Sequence, residues 1–209
     1  MKTKKGAERK NEILDKAEFL FATRGYEHTT IVDILDAVGI GKGTFYYHYK
    51  SKEEVLDAII LRRCEMGAEA AMRFVEDRTL DVHEKLLRIV LAQKPVNETQ
   101  KQLIETLHEP SNALMHQKCM TKQVCILSPV LEKVVKEGIA KGVFSTPYPR
   151  DSMEILLTAG LTVFDDGYFQ WDPEEMERKM HAFLLAMERV LGAEEGSLSY
   201  LRQCFDLPK

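Results

Sequence analysis

The chain has 209 residues, 44% hydrophobic and 30% charged, a balance that allows a buried core and argues against disorder. At roughly 100–200 residues per domain it holds one or two domains. Its longest uncharged apolar-rich run, Ile155 to Phe164, falls well short of the ~20 residues that span a membrane. No apolar stretch like that of a signal peptide follows the basic N-terminus, so a cytoplasmic protein with no membrane partner is expected.

The net charge of −4 argues mildly against a nucleic-acid binder, but the charge is unevenly spread. Residues 1–50 carry nine Lys/Arg against seven Asp/Glu, and the remainder carries 20 against 26. Lys2, Lys4, Lys5, Arg9 and Lys10 crowd the first ten residues. They are either a solubilising tail or a flexible basic arm able to grip phosphate. The four cysteines, Cys64, Cys119, Cys125 and Cys204, form no C-x-x-C pair, so reduced thiols and no zinc module are expected.

Helical period runs through nearly the whole chain. Ile13, Ala17, Leu20 and Phe21 share one stripe of a first helix that Gly25 stops. Thr30 reads as the cap of a short second helix with Asp33 at its third position. Ile31, Ile34, Leu35 and Val38 fall at i, i+3, i+4 and i+7 before Gly39. A third helix is expected over about Lys42–Tyr49. Ser51-Lys52-Glu53-Glu54 is a capping box. The helix it opens carries Val55, Leu56, Ile59, Ile60, Met66 and Phe74 and is expected to reach about Glu76.

Further helices are expected over about Asp81–Gln93, from Glu98 to His108, and from a Ser111 cap to about Leu127. There Pro129 kinks or restarts the chain and Gly142 ends it. Asp151 is expected to cap a helix to about Phe169. Asp172-Pro173-Glu174-Glu175 is a strong start signal for one ending at Gly192. A short helix over Ser197–Phe205 closes the chain. No alternating strand pattern competes, so the fold class is all-α.

The run from Val38 to Glu54 carries the chemistry. Two short helices joined at Gly39-Ile40-Gly41 make a helix-turn-helix candidate. Gly41 stands at the cap of the second, and Gly43 leaves its first turn bare for close approach by a partner. Phe45 and Tyr49 are four apart and face the core with Ile40. Thr44, Tyr47 and His48 point away, with Tyr46 at the margin and Lys42, Lys50 and Lys52 flanking. Hydroxyls, an imidazole and ammonium groups on one short helix suit a major groove. A helical hairpin whose rings are all core would share the pattern. The spacing of "GIGKGT" does not fit a P-loop, and no strand precedes it.

The stretch "TTIVDILDAVGIGKGTFYYHYKSKEEVLDAI", Thr29 to Ile59, resembles the DNA-binding signature of the TetR family of transcriptional regulators. That signature has a threonine cap, a short helix, A-G-V-S-x-G-T-F-Y-x-H-F, then S-K-E-x-L. "ILDKAEFLFATRGYEHTT" resembles the family's first helix, and the likeness covers about residues 9–60. Val38 stands where the family has alanine, and Gly41 where it has a serine whose hydroxyl caps the helix. The resemblance implies groove contacts by Thr44, Tyr46, Tyr47 and His48, and backbone contacts mainly by Thr30, Lys42 and Lys52. It places the DNA-binding domain at 1–52 and a ligand-binding and dimerisation body at 53–209.

The resemblance also implies a homodimer on a palindromic site, joined through helices at about 151–169 and 173–191, and an unknown small-molecule effector. Met176, Met180, Phe183, Leu184, Met187 and Leu191 make a seam that either a dimer or burial within one chain would explain. Met66, Phe74, Met115, Cys119, Met120, Phe164 and Tyr168 are candidates for an adaptable apolar pocket, or ordinary core. His116 and Cys119 lie at i, i+3, but two ligands without a third are weak evidence for metal. No cofactor and no catalytic residue is expected, since H-E-x-x-H, G-x-S-x-G and a Walker loop are all missing. A dimeric binding protein without DNA recognition is the alternative that Gly41 keeps open.

Overall fold

The computed structural model describes residues 2–94 and 108–204. Among them lie eight α-helices, two 3₁₀ turns and no strand. The helices are α1 (Lys2–Arg24), α2 (Ile31–Val38), α3 (Lys42–His48), α4 (Lys52–Glu76), α5 (Val82–Leu91), α6 (Ala113–Ala140), α7 (Pro149–Val163) and α8 (Pro173–Leu191). The helix expected from Glu98 and the closing Phe205 lie outside the described residues. Two compact units result, Met1–Arg63 with Val96–Cys119, and Cys64–Pro95 with Met120–Lys209.

In the first unit, α1 begins at Lys2, so the basic N-terminus is helical rather than a flexible arm. The unit buries Ile13, Ala17 and Phe21 of α1, Ile34 and Leu35 of α2, Phe45 of α3, and Val55, Leu56, Ile59 and Ile60 of α4. Helix α2, at eight residues, is too short to persist without this packing. Its ends are closed as the sequence indicates. Thr30 and Asp33 form a reciprocal capping box, and Gly39 takes a left-handed φ of 71°. Ser51 Oγ accepts from the Glu54 N–H at 3.1 Å. The Glu54 carboxylate closes back on the N–H of Lys50, one residue earlier than an ideal box.

Arg62 joins α4 to α1 through Asp15 and Glu18, each at 2.7 Å. The 3₁₀ turn Pro110–Asn112 and the start of α6 belong to this unit too. Ser111 lies inside that turn rather than capping a helix. Its hydroxyl faces Gly25, where an added Cβ would sit 2.7 Å from Ser111 Oγ.

The second unit has its own core, built from Val82, Leu86 and Ile89 of α5, Leu127, Leu131, Val134 and Val135 of α6, Met153 and Leu156 of α7, and much of α8. Of the expected seam, Met180, Leu184, Met187 and Leu191 are buried in this core, while Met176 and Phe183 are half-buried. Helix α6 runs without a break through Pro129. Proline there gives up one hydrogen bond of the ladder. Helix α7 starts at Pro149 with Tyr148 at its cap, so Asp151 stands in the first turn and not at the cap. It stops at Val163, short of Phe169, where the Trp171 indole donates to the Val163 carbonyl at 2.8 Å. Asp172 caps α8 at the expected start, and with Glu175 it forms a reciprocal capping box. No described helix is long and apolar enough to cross a membrane.

Candidate nucleic-acid interface and apolar cavity

The turn before α3 is made by two backbone bonds. The N–H groups of Gly39 and Ile40 both donate to the Leu35 carbonyl, at 2.8 and 3.1 Å. Gly41 follows at the cap of α3 with extended backbone and no side-chain bond, as a residue without a hydroxyl must. An added Cβ at Gly41 or Gly43 would meet nothing within 4 Å. The chain's own packing therefore demands neither glycine, and the first turn of α3 is open to a partner.

The rings of α3 divide between inside and outside. Phe45 and Tyr49 are 0% and 2% exposed, while Tyr46 and Tyr47 are 53% and 82% exposed. The tyrosines are not loose. Tyr46 stands edge-on to Phe45 with centroids 5.5 Å apart, and Tyr47 edge-on to His48 at 4.9 Å. Lys42, Gly43 and Thr44 are exposed beside them, and His48 is half-buried. The structure thus brings Lys42, Gly43, Thr44, Tyr46, Tyr47 and His48 together on one short helix. Two exposed phenols next to a lysine and a threonine offer donors and acceptors to base edges and phosphates.

Thr30 and Lys52 have other attachments. The Thr30 hydroxyl is engaged with Asp33, accepting from its N–H at 3.2 Å and bonding its carboxylate. These bonds hold the Asp33 carboxyl below the usual carboxylate range. Lys52 Nζ donates to the Tyr26 carbonyl at 2.7 Å and lies 4.1 Å from the centre of the Tyr26 ring. The sequence does not signal this use of Lys52, because Tyr26 lies 26 residues away.

The second unit holds a separate feature, an apolar cavity of about 210 Å³. Its walls come from α5, α6, α7, α8 and the 3₁₀ turn Ser199–Cys204, and include Leu86, Leu127, Met153, Leu157, Phe183 and Cys204. Among the described lining residues, the polar side chains besides the Cys204 thiol are those of Gln93 and Gln123. Burial pushes the Cys204 thiol up, which keeps it protonated.

None of the seven candidates for a pocket lines this cavity. Met66 is 64% exposed and Tyr168 is also exposed, while Phe74 packs against the second unit's core. Met115 and Cys119 fall in the first unit. Phe164 comes nearest in role, since its ring stands edge-on to the cavity residue Phe183 at 5.4 Å. The true lining residues are ordinary Leu, Ile and Met at helical spacing, which in sequence look like any core. Gly160 lets the Phe183 ring of α8 approach α7 closely, since an added Cβ would lie 3.0 Å from Phe183 Cζ.

Two short helices joined by a glycine turn, the second presenting exposed phenols, have the helix-turn-helix arrangement of DNA-binding proteins. Residues 13–59 match the family of bacterial regulatory proteins described as the tetR family. Residues 94–185 match the tetracyclin repressor-like C-terminal domain. The chain belongs to the TetR family and is a DNA-binding transcriptional regulator.

Among relatives, it is 50% identical over 52 residues to the transcriptional repressor KstR2 of Rhodococcus jostii, an alignment covering 25% of this chain and 26% of KstR2. It is 25% identical over 190 residues to the uncharacterized regulator YhgD of Bacillus subtilis, covering 88% of this chain and 96% of YhgD. In fold it is similar to GusR of Salmonella enterica, with a TM-score of 0.58 at 20% identity over 88% of this chain and 96% of that one.

Proposed function

We propose that the chain is a homodimeric repressor that a small molecule releases from a palindromic operator. The observation that carries the DNA-reading assignment is the outward set of α3, with Tyr46 and Tyr47 exposed while Phe45 and Tyr49 are buried. Thr44, Tyr46, Tyr47 and His48 are assigned to the groove. Lys42 and the bare Gly43 backbone are assigned to phosphates, with Thr30 and Lys52 acting through the elements they fasten. The repressor naming of the KstR2 relative supports the direction of regulation. Residues 1–52 form the reading head in this proposal, and 53–209 the body that binds the effector and dimerises. We assign the chain no enzymatic activity.

Dimerisation through α7 and α8 is supported by what these helices leave outside. Ile155 is 64% and Leu185 43% exposed, although the seam beneath them is already buried. Two copies of α3 roughly 34–36 Å apart would meet successive major grooves on one face of the duplex. An effector that binds the two spacings with unequal affinity shifts the balance between them.

The test is fluorescence anisotropy on the chain's own promoter DNA over a salt series. Specific binding with a steep salt slope is expected. Tyr47→Ala and His48→Ala should each weaken it at least tenfold with an unchanged thermal midpoint. Normal binding by both variants overturns the assignment of α3. No sequence preference at all favours a binding protein without DNA recognition.

A further inference from the structure

We propose that the apolar cavity of the second unit is the effector site, and that it takes an uncharged molecule about the size of a two-ring aromatic. The proposal rests on the ligand-released repressor reading above. Size comes first. A cavity of roughly 150 Å³ lined by aliphatic and aromatic side chains takes up benzene, and this one measures about 210 Å³. Charge comes second. Among the described residues that line it there is no Asp, Glu, Lys, Arg or His. An ionised ligand would leave its water without a counter-charge, which is among the costliest transfers a protein site can demand.

An empty apolar space costs stability in proportion to its volume, which an occupant of matching size offsets. One wall is the Phe183 ring, which closes against Gly160, where an added Cβ would lie 3.0 Å from Phe183 Cζ. The Phe183 ring is braced from behind by Phe164. Gln93 and Gln123 add amide groups to a wall that is otherwise aliphatic, aromatic and thiol. An amide at the rim of an apolar slot can orient one hydroxyl or carbonyl of a neutral ligand. The Gln93 amide is steadied by donating to the Ile89 carbonyl at 3.3 Å. Leu201 and Cys204 add to the lining from the 3₁₀ turn Ser199–Cys204, so a ligand here touches four helices and that turn at once.

Isothermal titration calorimetry on the full chain, with naphthol against naphthoate, tests this directly. The two probes share a ring system and differ in charge. The expected result is one naphthol per chain, with naphthoate at least tenfold weaker. Leu157→Phe and Cys204→Phe fill the cavity from α7 and from the 3₁₀ turn Ser199–Cys204. Each should weaken naphthol at least tenfold while its thermal midpoint stays at the wild-type value or above.

Equal or tighter naphthoate binding overturns the proposal, as does no naphthol binding, or binding that survives both filling variants. Sedimentation velocity on the same samples adds one more outcome. If naphthol splits a dimer, the cavity seats a side chain of the second copy, and the proposal is wrong. Promoter binding without naphthol, measured on the same proteins, reports separately on the repressor reading. That binding can stand when the cavity assignment falls.

Discussion

The backbone N–H of Tyr26 donates to the side-chain carbonyl of Asn112 at 2.7 Å, in a buried position, across 86 residues of chain. Beside it the Glu27 N–H reaches the Ser111 carbonyl at 3.4 Å. Lys118, one helical turn into α6, bridges Glu53 and Asp57, each at 2.7 Å. Tyr26 is thus held through its N–H by Asn112, through its carbonyl by Lys52, and through its ring by Phe21 at a centroid distance of 5.2 Å. The loop between α1 and α2 is pinned from a segment that the sequence alone assigns to the body.

Removing the Asn112 amide leaves a buried N–H without a partner, which costs about 1–3 kcal/mol. Asn112→Ala should therefore lower the unfolding free energy by that much, seen as a lower urea midpoint at an unchanged slope. Asn112→Asp keeps an acceptor in place and should lose less. If Asn112→Ala unfolds at the wild-type midpoint, this bond does not hold the loop.

Gly43→Ala separates the two demands on α3. An alanine Cβ has open space around it, and alanine is favoured over glycine in a helix by about 0.8–1 kcal/mol. The variant should be more stable by several tenths of that, given its position in the first turn. It should also bind promoter DNA at least tenfold more weakly, because the added methyl holds the backbone off the phosphates. Denaturation and anisotropy on one preparation check both signs. Tighter DNA binding would remove Gly43 from the interface.

How much of this was legible in the sequence follows from the range of each interaction. The capping boxes at Thr30 and Asp172, the turn at Gly39 and the split of Phe45 and Tyr49 from Tyr46 and Tyr47 all depend on neighbours within four residues. Periodicity and cap chemistry state such things directly. The dual role of Lys52, the pin from Asn112 and the cavity around Gly160 depend on partners tens of residues away. Pattern carries no trace of them. The errors at Ser111 and Asp151 are of another kind. Both have good cap chemistry, but a nearby proline, Pro110 or Pro149, took the start of the element instead. The methionine seam of α8 was read correctly as apolar. Its buried partner, the chain's own core, needed the structure.

Tyr49 offers a pH test. Its hydroxyl is buried with no hydrogen-bond partner among the described residues, and burial pushes its pKa up to about 12. The folded chain therefore keeps the proton where the unfolded chain, titrating near 10, has lost it. The contribution to stability is intact below pH 10 and is lost as pH rises from 10 through 12. Tyr49→Phe should remove part of the alkaline loss, leaving the parts due to Tyr26 and Tyr200, which burial also raises. At neutral pH the same variant should be as stable as wild type or slightly more so, since it deletes an unsatisfied polar group. Urea midpoints at pH 9 and pH 11 for both proteins decide it. An unchanged difference between the two pH values would show that Tyr49 does not titrate as a buried group.

The last prediction concerns the outer faces of α7 and α8. Ile155 and Leu185 are exposed in a chain whose second unit already buries the inner faces of both helices. Scattered exposed leucines are ordinary, but a pair on the two helices assigned to the interface is a specific target. Ile155→Glu and Leu185→Glu place charges on that surface without touching the buried seam. Each should leave helix content and thermal midpoint at low concentration unchanged. Each should also shift sedimentation toward the monomer and weaken promoter binding at least tenfold, because one head on one half-site loses the advantage of linkage. If both variants sediment like wild type and bind DNA as tightly, dimerisation uses another surface, and these two side chains are merely solvent-facing.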